Sequence, residues 1–257
     1  MNSRTADSHA TLRTSTIALI ATALLGACTA PRAPKSPQVE IQIGLCGEPA
    51  MIETALALRA RGEPMQVWLF DDPDLAMFAK GLRFRLRVSG GHSELTVKVA
   101  NQDCNALPLE VAHDDGKCEY DVHGETLSGA VSLTRAIVAA QTREVLSGRL
   151  ALAGVMSPAQ VGYLRDVVNL WPLPADIRGL GPIEVQRYRG KPYDVDISTQ
   201  PDGTRYVEIS RKVALVDAPR ARENLEADLV RAGVTACADQ SAQAEKKLRS
   251  LLVTSPG

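Results

Sequence analysis

The 257-residue chain is 45% hydrophobic and 23% charged, long enough for one large domain or two small ones with a buried core. Its 29 basic and 30 acidic residues leave a net charge of −1, which excludes a general nucleic-acid coat, and 4% aromatics argue against base-stacking platforms and aromatic sugar clefts. The composition is not that of a disordered chain, and only one apolar run approaches membrane character.

That run comes first. Arg4 and Arg13 flank a polar start, and residues 14–25 are apolar. A run of this length is too short for a bilayer core of ~30 Å but matches the apolar region of a secretory signal. It ends in Leu25-Gly26-Ala27-Cys28, which resembles a bacterial lipobox. Residues 1–27 therefore read as a lipoprotein signal peptide, with lipid added to Cys28. The alternative is an ordinary signal peptide that happens to meet a cysteine. Residues 28–38 carry three prolines and read as an extended, lipid-anchored tether. The expected location is the bacterial cell envelope, facing the periplasm from the outer membrane. The folded domain is expected over residues 39–257.

An exported chain meets oxidising conditions. Cys46, Cys104, Cys118 and Cys237 remain after Cys28, and four cysteines allow three pairings. Cys104 and Cys118 flank a polar loop, so their pairing is geometrically easy and leaves Cys46 with Cys237. Metal ligation is the rival, but no CxxC pair is present.

Residues 39–43 alternate polar and apolar, the period of a two-faced strand. A helix is predicted over residues 48–61, stopped by Gly62 and Pro64. A short one follows over 72–81, with an Asp72 cap and Gly81 at its end. Residues 82–88 place Arg83, Arg85 and Arg87 on one face. A Gly-Gly turn leads to residues 94–99, with Glu94, Thr96 and Lys98 together, so the pair reads as a β-hairpin. Residues 117–122 gather Lys117, Glu119 and Asp121. Helices are predicted over 131–147 and 158–170, and 131–170 reads as a helical insertion. Residues 193–198 and 206–210 form a second hairpin, the latter placing Glu208 and Ser210 on one face. Helices over 219–232 and 242–252 close the chain. The class is α+β with a mainly antiparallel sheet.

Three arginines at i, i+2 and i+4 repel one another unless something offsets them. One reading is a solvated face with salt bridges to Glu94, Glu40 or Asp121. The other is a closed sheet whose polar face lies inward, where guanidinium groups hold phosphate oxygens bidentately.

The run Phe70-Asp-Asp-Pro-Asp-Leu-Ala-Met-Phe-Ala-Lys-Gly-Leu-Arg-Phe-Arg-Leu-Arg-Val88, followed by Glu94-Leu-Thr-Val-Lys98, resembles the CYTH family of triphosphate tunnel metalloenzymes. Asp72 stands where the family has Thr. Cys118-Glu-Tyr-Asp-Val122, Arg187-Tyr-Arg189 and the second hairpin resemble later family strands. The resemblance implies an eight-stranded antiparallel barrel around a polar tunnel, with flanking helices and a C-terminal helical pair. It implies that Arg83, Arg85, Arg87, Lys98, Arg187 and Arg189 bind phosphates, and that Glu40, Glu119 and Glu208 hold Mg²⁺ or Mn²⁺. The family's opening Glu-x-Glu-x-Lys is Glu40-Ile-Gln42-Ile-Gly44 here, and its closing Glu-x-Glu is Glu208-Ile-Ser210. One carboxylate of each pair is missing, which weakens a site for a hard cation.

No phosphate-binding P-loop and no Gly-x-Ser-x-Gly occur. His9, His92, His113 and His123 form no zinc spacing. The leading expectation is an envelope lipoprotein whose tunnel binds a phosphate-rich anion of the tri- or polyphosphate type, with weak or no hydrolysis. The alternatives are a metal-dependent triphosphate or polyphosphate phosphohydrolase, with no catalytic residue assignable, and a non-catalytic envelope scaffold. Membrane contact is expected only through the lipid, and no nucleic-acid partner is expected.

Overall fold

The computed structural model describes residues 38–104, 116–123, 126–190, 192–239 and 243–254. The expected signal segment, Cys28, the tether up to residue 37 and His113 lie outside them.

Among the described residues, eleven strands form one sheet: β1 (Gln38–Cys46), β2 (Arg59–Ala60), β3 (Met65–Asp71), β4 (Leu82–Ser89), β5 (His92–Ala100), β6 (Gly116–His123), β7 (Thr126–Ile137), β8 (Arg178–Arg189), β9 (Asp194–Thr199), β10 (Arg205–Ala214) and β11 (Thr235–Ala236). Nine of them run in the order β1-β6-β7-β5-β4-β3-β8-β9-β10, and β10 pairs back onto β1. The sheet is therefore a closed barrel. The β1–β6 pair is parallel and the other pairs are antiparallel. The barrel is mixed and nine-stranded, where the resemblance implied eight antiparallel strands. The two-residue strands β2 and β11 extend the edges of β8 and β1.

The helices are α1 (Pro49–Ala55), α2 (Ala76–Ala79), α3 (Ala139–Leu146), α4 (Pro158–Asp166), α5 (Ala218–Arg231) and α6 (Gln243–Thr254). Helices α1, α3, α4 and α5 cover the apolar faces that strand alternation turns outward. Val39, Ile41, Ile43, Val207 and Ile209 pack under Ala221, Leu225 and Leu229 of α5. Phe84, Leu86, Leu95, Val97 and Leu133 pack under Val145 of α3 and Tyr163 and Leu164 of α4. Each such burial contributes roughly 1.5–3 kcal/mol. Gln160 of α4 is buried but fully used. Its Nε2 donates to the Leu95 and Leu133 carbonyls at 3.1 and 2.9 Å, and its Oε1 accepts from the Ser157 amide at 2.9 Å in a capping box.

A third apolar cluster lies on the other face of the sheet. Val67 pairs opposite Arg87, and Leu69 opposite Arg85, so these residues share the arginines' face. Leu248 and Leu251 of α6, with Phe78 of α2 and Leu75 just before it, pack against Met65, Val67, Leu69 and Ile183 there. The C-terminal helix thus covers an inward-facing apolar wall.

The two expected hairpins form as β4–β5 and β9–β10. Residues 131–137 are not helical. They belong to β7, and helix begins only at Ala139, so 131–170 contributes a barrel strand and is not a helical insertion. The predicted helix over 48–61 stops at Ala55, and residues 59–60 join the sheet. Residues 72–81 keep one helical turn. Asp71 caps it as much as Asp72: its carboxylate accepts from the amides of Met77 and Phe78 at 2.9 Å, while Asp72 accepts from Ala76 at 3.0 Å.

The cysteines pair as Cys46–Cys237 and Cys104–Cys118. The second bond needs Gly129 on β7. The Gln102 amide donates to the Gly129 carbonyl at 3.0 Å as the chain crosses toward Cys118, and a Cβ on Gly129 would stand 2.0 Å from the Gln102 oxygen.

Candidate anion-binding tunnel

The inward polar residues enclose a cavity of about 380 Å³. Seven basic side chains line it: Arg61, Arg85, Arg87, Lys98, Lys117, Arg187 and Lys212. Five carboxylates join them: Glu40, Glu119, Asp194, Asp196 and Glu208. Past Arg61, Arg87 and Arg187 lies a vestibule of about 770 Å³, bordered also by His92 and Glu94.

Register explains the basic wall. Arg85 lies opposite Thr96, and Thr96 opposite Thr134, whose hydroxyl is 3.0 Å from that of Thr96. Arg87 lies opposite Glu94 and donates to it at 2.8 Å. Arg187 lies opposite Asp196, with Nε 3.7 Å from its carboxylate. Arg85 is different. Among the described residues no carboxylate lies within ion-pair distance of it, and its buried Nε has no hydrogen-bond partner. Burial first, then the charge of Arg87, lowers its pKa to about 9, against the pull of Glu94. A guanidinium stays charged at neutral pH, so the shift reports an under-compensated positive charge facing the cavity.

The acidic wall is already occupied. Lys212 Nζ is 3.0 Å from Glu119 Oε1 and 3.8 Å from Glu40 Oε2. Burial opposes the Lys212 charge, but the Glu119 hydrogen bond and the Glu40, Glu119 and Asp121 charges outweigh it and raise its pKa. Lys98 is held by the buried carboxylate of Asp121, whose other oxygen has no partner. Gln42 and Ser210, the two neutral residues in the acidic motifs, sit directly opposite each other.

The expected metal ligands do not make a metal centre. Two of the three, Glu40 and Glu119, converge on an ammonium, while Glu208 pairs in register with Asp196. Among the described residues, no three His, Cys, Asp or Glu side chains are grouped so as to hold a metal ion. This donor arrangement does not fit a divalent cation.

Of the six expected phosphate ligands, Arg85, Arg87, Lys98 and Arg187 come together in the cavity. Arg83 does not join them. It donates to the Phe78 and Leu82 carbonyls at 3.0 and 2.7 Å and lies 3.5 Å over the Phe78 ring, closing the end of α2. Burial lowers its pKa to about 10, with Asp71 opposing. Arg189 sits at an exposed depression beside Arg59 and Tyr193, 4.0 Å from Asp194. Lys212, Asp196 and Arg61 escaped the sequence reading, and Asp121, read there as a partner for the arginines, holds Lys98 instead. For Lys212 the signal was available: extending the Glu208–Ser210 alternation by two residues reaches it.

No family model matches the sequence, and no curated protein matches it significantly. Solved structures do. One is a proposed adenylyl cyclase from Hippeastrum for which a dominant triphosphatase activity is described. It is 14% identical with a TM-score of 0.55, over 82% of this chain and 97% of that one. Another is a proposed adenylate cyclase from Bacillus halodurans, 10% identical with a TM-score of 0.53, over 80% and 97%. A closed barrel around a charged tunnel, flanked by helices, defines a class. The fold is the CYTH-like tunnel fold.

Proposed function

We propose that the tunnel binds a phosphate-rich anion of the tri- or polyphosphate type, with weak or no hydrolysis, in a lipid-anchored envelope protein. The observation that carries the reading is Arg85, a half-buried arginine whose buried Nε has no partner, flanked in one cavity by Arg87 and Arg187. An anion supplies the charge and acceptors that this wall lacks. The fold supports a triphosphate-like ligand by analogy with its structural neighbours. The lipobox-like Cys28 supports the envelope location, where nucleotide substrates are scarce.

The triphosphatase activity described for the Hippeastrum neighbour favours a second reading, phosphohydrolysis, which the family resemblance would make metal-dependent through Glu40, Glu119 and Glu208. One experiment separates the two. The described residues, from Gln38 to Thr254, form one compact unit. The chain from Ser36 onward is titrated with tripolyphosphate, with and without Mg²⁺ or Mn²⁺, and thermal midpoint and released phosphate are read in the same tubes. A raised midpoint without phosphate release is expected. Metal-dependent release would establish the hydrolase reading. No shift in any tube would reject both.

A further inference from the structure

The acidic half of the tunnel carries a cation of its own. Lys212 lies two residues beyond Ser210 on β10, so its side chain enters the cavity on the same face. In the β1–β10 register, Gln42 faces Ser210 and, two residues along, Glu40 faces Lys212. One step is therefore a neutral pair and the next an ion pair. Glu119 reaches the same ammonium from β6, the strand on the far side of β1. The ammonium thus sits between two carboxylates from neighbouring strands, the arrangement expected around a bridging metal ion. Its charge is one, where a divalent ion would bring two. The wall is also less acidic, with neutral Gln42 and Ser210 at two carboxylate positions of the motif, so a smaller positive charge suffices there.

We propose that Lys212 stands in for a divalent cation, so that the tunnel takes up its anion without metal and Lys212 keeps metal off Glu40 and Glu119. The proposal rests on the anion-binding reading for its ligand but not for its effect on metal. A divalent ion bound by both carboxylates must approach each oxygen to about 2.0–2.6 Å. The ammonium already fills that space and repels a second cation. An ammonium has three donors, and one hydrogen bond is to Glu119, so others are available to a phosphate oxygen across from Arg85. Lys98, held by Asp121, supports the same logic on the adjoining wall. Each is a cation fixed by protein carboxylates and set where it meets the ligand.

The test uses the full-length chain, purified in detergent, and Mn²⁺ alone as the probe. Free Mn²⁺ is read by electron paramagnetic resonance with no anion present. Lys212→Met is expected to bind one Mn²⁺ at least tenfold more tightly than the unaltered protein, and Lys212→Arg to behave like the unaltered protein. Circular dichroism and the thermal midpoint establish that each variant is folded. Should Lys212→Met not fold, Lys212→Gln, which keeps a donor for Glu119, takes its place. Equal Mn²⁺ binding in all forms, or no gain in a folded Lys212→Met, would overturn the proposal. A second arm titrates tripolyphosphate in excess chelator and again in excess Mg²⁺. The unaltered protein is expected to bind equally in both, within twofold, whereas Lys212→Met binds at least tenfold more weakly in chelator and recovers with Mg²⁺. Binding by the unaltered protein only with Mg²⁺ would overturn the proposal. Absence of tripolyphosphate binding in both buffers, with the Mn²⁺ gain intact, would reject the anion reading and leave the assignment of Lys212 standing.

Discussion

Across the β4–β5 pair, Arg87 donates to Glu94 at 2.8 Å, while Arg85, two residues away on the same face, meets only Thr96. One arginine is compensated by the protein and the next is left for something else. The two side chains have the same chemistry, and the residue opposite decides their roles.

Replacing Arg85 by Met is expected to leave the ligand-free protein at least as stable as before. A buried charge without a partner carries a desolvation cost, and isosteric apolar replacement of buried ionic groups is often neutral or stabilising by about 1–4 kcal/mol. Tripolyphosphate affinity should fall about 10–100-fold, the loss of a charge-assisted hydrogen bond of ~1.5–3 kcal/mol. Urea unfolding and a binding titration read the two effects separately. A large loss of stability would mean that Arg85 is structural.

Anion affinity should rise on acidification because of Asp196. Burial, opposed by Arg187 and Arg87, holds its pKa above the ordinary 3.8. On acidification the folded protein therefore takes up this proton before the unfolded chain does. The neutral group favours folding as pH falls toward 3.8, and this contribution is lost as pH rises through the folded pKa. Protonation also frees Arg187 and Arg87 from a competing carboxylate. Asp196→Asn should bind more tightly near neutral pH and lose this part of the pH dependence. Titrations at stepped pH with both proteins check it, and parallel profiles would rule Asp196 out.

Leu251 of α6 is completely buried against the inward-facing apolar wall. Leu251→Ala should cost about 2–5 kcal/mol through lost burial and the cavity left behind. Chemical denaturation measures it. A cost below ~1 kcal/mol would mean that α6 contributes little to the closed barrel.

The two disulfides should differ in worth. Cys46–Cys237 joins residues 191 apart and Cys104–Cys118 residues 14 apart. On the chain-entropy model the longer loop is worth about 5 kcal/mol and the shorter about 3 kcal/mol. Paired Cys→Ser variants, unfolded in urea, should therefore rank in that order. The reverse ranking would assign the larger effect to the crossing at Gly129.

Where alternation was strong, the strands were legible: 82–88, 94–99, 193–198 and 206–210 all lie in strands. β3 was missed because both of its faces are apolar. Phe70 packs in the outer cluster and Val67 packs toward α6, so no polar alternation survives. Residues 131–137 were misread because Val131, Ser132, Leu133, Thr134, Arg135, Ala136 and Ile137 suit either period, and only pairing to β5 and β6 decides it. At the site, alternation put Arg85 and Arg87 on one face and Lys98 on another, and only the resemblance pointed to Arg187; all four line the cavity. That Arg83 does not was illegible, because its hydrogen bonds depend on where α2 ends. Lys212 was lost to a strand boundary placed four residues short.

Helices α4 and α5 grip the barrel from outside, through Leu225, Leu229, Tyr163 and Leu164, and much of its interior beyond the wall under α6 is polar. Folding and ligand choice therefore draw on largely separate sets of residues. Gln42 and Ser210 face each other inside, so exchanging that pair alters the charge lining while the layer of leucines and valines holding the strands together is untouched. A barrel arranged this way can drift in what it recognises, one inward pair at a time, without first losing its shape.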